Sequence, residues 1–205
     1  YKKGLYYSGG RSLFDLANDV LDDAGVDQAA RNISDTLKNI YTNAPLPLVS
    51  HRECLQLIAN AGMCVLYTDR LGKVSMQPLP TTMSDFYLDL SKTLQRPTIK
   101  KYPPLYAVDV NVYSRVVQTG TEELANAEVE AVGNTTLEIT YSEGIPSGYT
   151  VTGSVSVVGA PAYYANCAIL TVTGTGTVKI MGQRIAVSSK VYSKFFGVTG
   201  DRCPM

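Results

Sequence analysis

At Pro103-Pro104 the chain changes its hydrophobic period. Ahead of this point apolar residues recur every three or four positions, the spacing of one helix face. Beyond it they alternate, the spacing of one strand face. Tyr106, Val108, Val110 and Val112 share a strand face, and Val116 and Val117 extend the run. Further strands are predicted at Glu128–Val132, Thr136–Tyr141, Thr150–Val157, Ala168–Val172, Thr177–Met181 and Ile185–Val191. Turn signals at Gly133-Asn134, Ser147-Gly148, Gly159 to Pro161, Gly174 to Gly176 and Gly182 recur about every ten residues, the texture of a sandwich or barrel. The expected fold class is therefore α+β. A small α+β domain with a helix–β-hairpin unit is expected over residues 1–104, and an antiparallel all-β sandwich or barrel domain over 105–205.

Within the first part, Leu13, Leu16, Ala17, Val20 and Leu21 mark one face of a helix, with Ser12 as N-cap and Gly25 as stop. Asp15, Asp19, Asp22 and Asp23 are expected on its solvated face. A shorter helical signal runs from Ser34 to Leu37, and Pro45 and Pro47 then break the chain. Ser50-His51-Arg52-Glu53 reads as a capping box ahead of an apolar face made of Cys54, Leu57, Ile58 and Ala61. Gly62 ends this helix, and residues 63–68 and 73–76 form a predicted hairpin around Asp69-Arg70-Leu71-Gly72. The proline-rich stretch Pro78 to Pro104 reads as a crossover with a short amphipathic piece at Asp85 to Leu90.

Lys plus Arg and Asp plus Glu are each 18, so the chain has no net charge. A nucleic-acid partner held by phosphate attraction needs a basic excess, and an anionic membrane surface needs the same; neither is expected. No apolar stretch approaches the length of about 20 residues that crosses a bilayer. No signal peptide is read at the start. The chain begins at Tyr1, which reads as a piece cut from a longer protein. Cys54, Cys64, Cys167 and Cys203 contain no Cys-x-x-Cys pair, and His51 is the only histidine. No metal or cofactor site is expected from them. Free, mostly buried thiols made in a reducing compartment are.

Candidate chemistry is sparse. Nucleophilic catalysis needs a base beside a Ser, Cys or Thr. His51 lies in a first helical turn and Cys54 three residues on, but Cys54 belongs to the apolar face, so no dyad is expected. Glycoside hydrolysis needs two carboxylates across a cleft. Asp85 and Asp89 lie side by side on one helix, and Glu128 and Glu130 on one strand face, so neither pair brackets a substrate. Gly174-Thr175-Gly176 lacks the Gly-Lys-Ser/Thr step of a phosphate loop and reads as a hairpin turn. No catalytic residue is assigned. The 14 tyrosines, with no tryptophan, suggest instead a contact surface. The adjacent pairs Tyr6-Tyr7 and Tyr163-Tyr164, each sending one ring to either face of an extended strand, are the candidate interface residues.

The run from Leu48 to Val74, with its Arg52-Glu53-Cys54-Leu55-Gln56-Leu57-Ile58-Ala59-Asn60-Ala61 helix followed by a strand and an Asp-Arg-x-Gly turn, resembles tail proteins of prophages in Gram-positive bacteria, of the baseplate or tail-hub type. Leu13 to Gly25, Lys101 to Tyr113 and Ala168 to Gly182 are similar to further patches of that family. The resemblance implies a structural component of a phage-like tail or baseplate, made in the bacterial host cytoplasm and located in the virion tail. Its implied partners are other tail or baseplate subunits and further copies of itself. It carries no catalytic signature. The competing expectations are a cell-surface glycan- or protein-binding module and, behind it, a cell-wall hydrolase fragment. A tyrosine-lined groove would favour the former, and opposed acids in a cleft the latter.

Overall fold

The structure is a computed structural model that describes residues 1–79, 105–195 and 201–204. The amphipathic piece expected at Asp85 to Leu90, with the Asp85 and Asp89 pair, lies outside the described residues. The chain forms two compact units, one of residues 1–79 and 115–186, the other of 80–114 and 187–205.

In the first unit, β1 (Arg11–Ser12) leads into α1 (Leu13–Asp23), whose first turn is capped by the Ser12 hydroxyl accepting from the Asp15 amide at 3.1 Å. The five residues marked by helical spacing are the five that α1 buries. On its acidic face Asp15 and Asp22 stay exposed, and three of the four carboxylates also take a basic partner. Arg11 holds Asp19, Arg31 holds Asp22, and Lys3 and His51 hold Asp23. The helical signal near Ser34 is a 3-10 helix over Asp35–Asn39, and β3 (Tyr41–Thr42) pairs antiparallel with β1. α2 (His51–Ala61) opens with both halves of the capping box, Ser50 Oγ accepting from the Glu53 amide at 3.2 Å and Glu53 Oε2 from the Ser50 amide at 2.9 Å.

The hairpin follows as β4 (Cys64–Thr68) and β5 (Val74–Pro78), paired from Cys64↔Pro78 to Thr68↔Val74. Asp69 closes its turn by accepting the amides of Leu71 and Lys73 at 2.8 and 2.9 Å. A strand not visible in the sequence, β2 (Arg31–Ile33), adds to the other edge of β5 in parallel. These elements share one core centred on Leu13, Val20, Leu21, Leu37, Cys54, Ile58 and Met76.

The remainder of this unit is antiparallel sheet. β7 (Glu122–Thr140) and β10 (Cys167–Phe195) pair from Cys167↔Thr140 to Gly182↔Glu122. The opposite edge of β10 takes β8 (Gly144–Gly153) and β9 (Ser156–Tyr163) end to end. The fold is thus α+β with a mostly β, antiparallel part, as the change of period requires. Its strand order is open, since β7, β8 and β9 each pair only with β10 among the described residues.

None of the five predicted turns is a chain reversal: Ser147-Gly148 lies inside β8 and Gly159 to Pro161 inside β9. Gly174 to Gly176 and Gly182 lie inside β10, and Gly133-Asn134 lies inside β7. For the glycines of β10 the reason is close backbone approach. At Gly174, with φ +94°, a Cβ would stand 2.2 Å from the Ser154 carbonyl oxygen; at Gly176, with φ +153°, 2.0 Å from that of Thr152. The glycines let β10 bulge past the junction of β8 and β9, shifting register between Val172 and Gly174 without ending the strand. Side chains on both sides of this bulge, Leu170 and Val172 before it and Val178 and Ile180 after it, belong to one buried cluster with Val129, Ile139 and Val155. Each fully buried Leu or Ile contributes about 2 kcal/mol.

The Ala165 amide donates to the Gly4 carbonyl at 2.8 Å, and Asn166 Nδ2 to the Leu46 carbonyl at 3.0 Å, tying residues 115–186 to the start of the chain. A Cβ on Gly4 would lie 2.4 Å from the Leu46 oxygen, so this seam requires glycine there. In the second unit, the portion of β6 (Leu105–Val117) ahead of Arg115 and the distal part of β10 are joined by a hydrogen bond between the Ser114 and Ser188 hydroxyls and by one from Ser193 to Asp109. β11 (Asp201–Pro204) runs parallel to β6.

Gly174→Ala is expected to destabilise the chain by at least about 2 kcal/mol in urea unfolding, because a Cβ there meets backbone that cannot retreat. Gly148→Ala, with nothing within 4 Å of its Cβ position, is expected to leave the midpoint nearly unchanged. Equal effects at the two positions would refute the bulge as the reason for glycine.

Candidate functional site

Two concave surfaces flank the seam. The first is polar. The C-terminal half of α1 supplies Asp19, Asp22 and Asp23, the first residues supply Tyr1, Lys3 and Tyr7, and Tyr164 enters just after β9. They line a cleft of about 410 Å³. A neighbouring cleft of about 310 Å³ shares Tyr1, Lys3, Asp23 and Tyr164 and adds His51 from the start of α2. Asp23 is the hub: its carboxylate takes Lys3 Nζ at 2.6 Å and His51 Nε2 at 2.8 Å. The Lys3 ammonium and then the His51 ring hold the Asp23 carboxyl below its ordinary range. The Tyr1 ring meets His51 edge-on at 6.0 Å, and burial, then the charges of Asp19 and Asp23, push its phenol up. Arg11 grips Asp19 with two bonds of 2.7 and 2.8 Å and stacks over Tyr7 at 5.2 Å.

All four candidate interface tyrosines are half-buried. Tyr7 and Tyr164 converge on the polar cleft, whereas Tyr6 does not line it and Tyr163 packs against the β core. Tyr6 and Tyr7 lie in irregular chain, not in a strand, so alternation does not set their faces. The Tyr164 backbone is pinned by the Tyr141 hydroxyl, which donates to its carbonyl at 2.6 Å.

His51 is turned toward Asp23. The Cys54 thiol is buried, donates to the Pro47 carbonyl at 3.8 Å, and has its pKa pushed up by that burial. Such a thiol is not activated as a nucleophile. Cys54, Cys64 and Cys167 are buried free thiols. Glu128 and Glu130 are exposed on one face of β7, with buried Val129 between them on the other. No cluster of three or more His, Cys, Asp or Glu side chains able to hold a metal occurs among the described residues.

The second surface is apolar. Helical spacing assigns Leu57 to the core, yet α2 buries Cys54, Leu55, Ile58 and Ala59, and Leu57 is 47% exposed. Leu57, Ile58 and Ala61 line a groove of about 270 Å³ with Leu13 and Leu16 of α1 and the segment from Thr42 to Pro47. Arg115 and Glu143 border it, joined by bonds of 2.5 and 2.7 Å. The sequence offered one hint, an apolar stripe on α2 wider than a short helix needs. No family model, curated protein or solved structure matches the chain.

Because the folded pKa of Asp23 is depressed, its contribution to stability is present above the ordinary value of 3.8 and is lost as pH falls through the lower, folded value. Asp23→Asn is therefore expected to lower the unfolding midpoint at pH 7, with the gap to wild type closing in strong acid. A gap that is constant down to strong acid would exclude the Lys3–Asp23–His51 contacts as its source.

Proposed function

We propose that the chain is a structural, non-enzymatic module of a phage-like tail or baseplate, working through contacts with neighbouring tail subunits in the virion. The apolar groove beside α2 carries this reading. A half-exposed leucine in an apolar groove bordered by one charged pair is the surface that an apolar segment of another subunit covers. The likeness of residues 48–74 to prophage tail proteins supplies the biological setting. Sparse catalytic chemistry at His51 and Cys54 is consistent with a surface as the working part.

A second reading draws on the polar cleft. Tyr1, Tyr7 and Tyr164 beside carboxylates suit a sugar ring and its hydroxyls, as a cell-surface glycan-binding module of a tail protein would need. Tyr164→Ala is expected to abolish retention on host cell walls if this cleft binds glycan; unchanged retention would dismiss the cleft.

For the principal reading, tails purified from the source organism are expected to contain the chain at the tail tip under immunogold labelling. Leu57→Glu, on a half-exposed position, is expected to change stability by less than about 1 kcal/mol while excluding the chain from purified tails. Tails that lack the wild-type chain would sink the proposal.

A further inference from the structure

Among the described residues, the sheet of the first unit has two outer edges, and they differ in charge. β7 carries five glutamates (Glu122, Glu123, Glu128, Glu130 and Glu138) and no lysine or arginine. The β8–β9 edge, from Gly144 to Tyr163, has no charged residue at all. A long edge strand presents unpaired amide and carbonyl groups that template another strand, and proteins ordinarily guard such edges with charge. Here one edge is guarded and the other is open.

The open edge is also apolar on the correct side. Tyr149 and Val151 stand opposite Ile180 and Val178, whose side chains are fully buried, yet they are themselves 38% and 40% exposed. The apolar face of the sheet thus continues onto β8 and stops there uncovered. Between Pro146 and the kink at Gly153, residues 147–153 offer seven positions free of proline, centred on Thr150.

We infer that β8 pairs antiparallel with β8 of a second copy of this chain, about a two-fold axis at Thr150. In that register Tyr149 lies opposite Val151 of the second copy, and Ser147 opposite Gly153, so both half-exposed apolar residues become cross-strand neighbours. Charge selects the occupant. An uncharged strand gives a foreign partner no electrostatic address but does not repel its own copy, whereas β7 against β7 would oppose glutamates. The chain as a whole has no net charge, so copies approach without long-range repulsion. The inference rests on the assembly reading and deepens it by naming a second copy as one partner.

Thr150→Glu separates folding from association. Thr150 stands opposite Lys179 within the sheet, so a glutamate there faces a cation in the single chain but faces its own copy across the two-fold. In sedimentation velocity across a concentration series, the wild-type chain is expected to pass from monomer to dimer. Thr150→Glu is expected to weaken that dimer by roughly ten-fold or more with the thermal midpoint preserved. Thr150→Cys is expected to form an intermolecular disulfide under mild oxidation, since directly opposed strand residues lie about 5 Å apart, while Glu128→Cys on the other edge is not. A wild-type chain that stays monomeric throughout, or a dimer indifferent to Thr150→Glu, overturns the inference. Chain found in purified tails with no such dimer would leave the assembly reading standing and remove only this contact.

Discussion

Two apolar cores that share no buried residue are held as one unit by a narrow polar seam. Gly4 and Leu46 offer carbonyls from one side, and the Ala165 amide and Asn166 side chain take them from the other. Each bond is individually modest, about 1 kcal/mol net, but each would leave a buried polar group unpaired if broken. Gly4 sets the spacing, because any side chain there would strike the Leu46 oxygen. Lys2 adds an ion pair to Glu138, and its carbonyl accepts from the Cys167 thiol, so further contacts join the same two parts.

Both concave surfaces are products of that seam. The polar cleft sets Tyr1, Lys3 and Asp23 against Tyr164, and the apolar groove sets α1 and α2 against Arg115 and Glu143. Neither set of residues is close in sequence. Their chemistry differs in a way that separates the two functional readings, since one surface is apolar with a single ion pair at its border and the other is crowded with charge. An apolar groove suits a subunit contact, and a tyrosine–carboxylate cleft suits a polyhydroxylated ligand.

The sheet shows how a short module presents a long edge without losing its core. Curling at the glycine bulge lets the residues of one face on either side of Gly174 share a single buried cluster. That solution leaves two outer edges, and only β7 carries charge. The asymmetry is a chemical difference between two otherwise similar strands, and such differences direct which edge meets another chain.

Local chemistry was legible in the sequence. The buried face of α1, the Ser12 cap, the capping box at Ser50 and the Asp69 turn all involve partners within a few residues, and each stands where its pattern places it. So did the α+β class, because hydrophobic period is a local property. What required tertiary structure were the parallel β2–β5 pair, the exposure of Leu57, the convergence of Tyr7 with Tyr164, and the continuity of β10. Glycines 174 and 176 read alike whether a chain reverses or bulges, because both need backbone freedom. The outcome turned on the Ser154 and Thr152 carbonyls, some twenty residues away, whose approach no nearby pattern encodes.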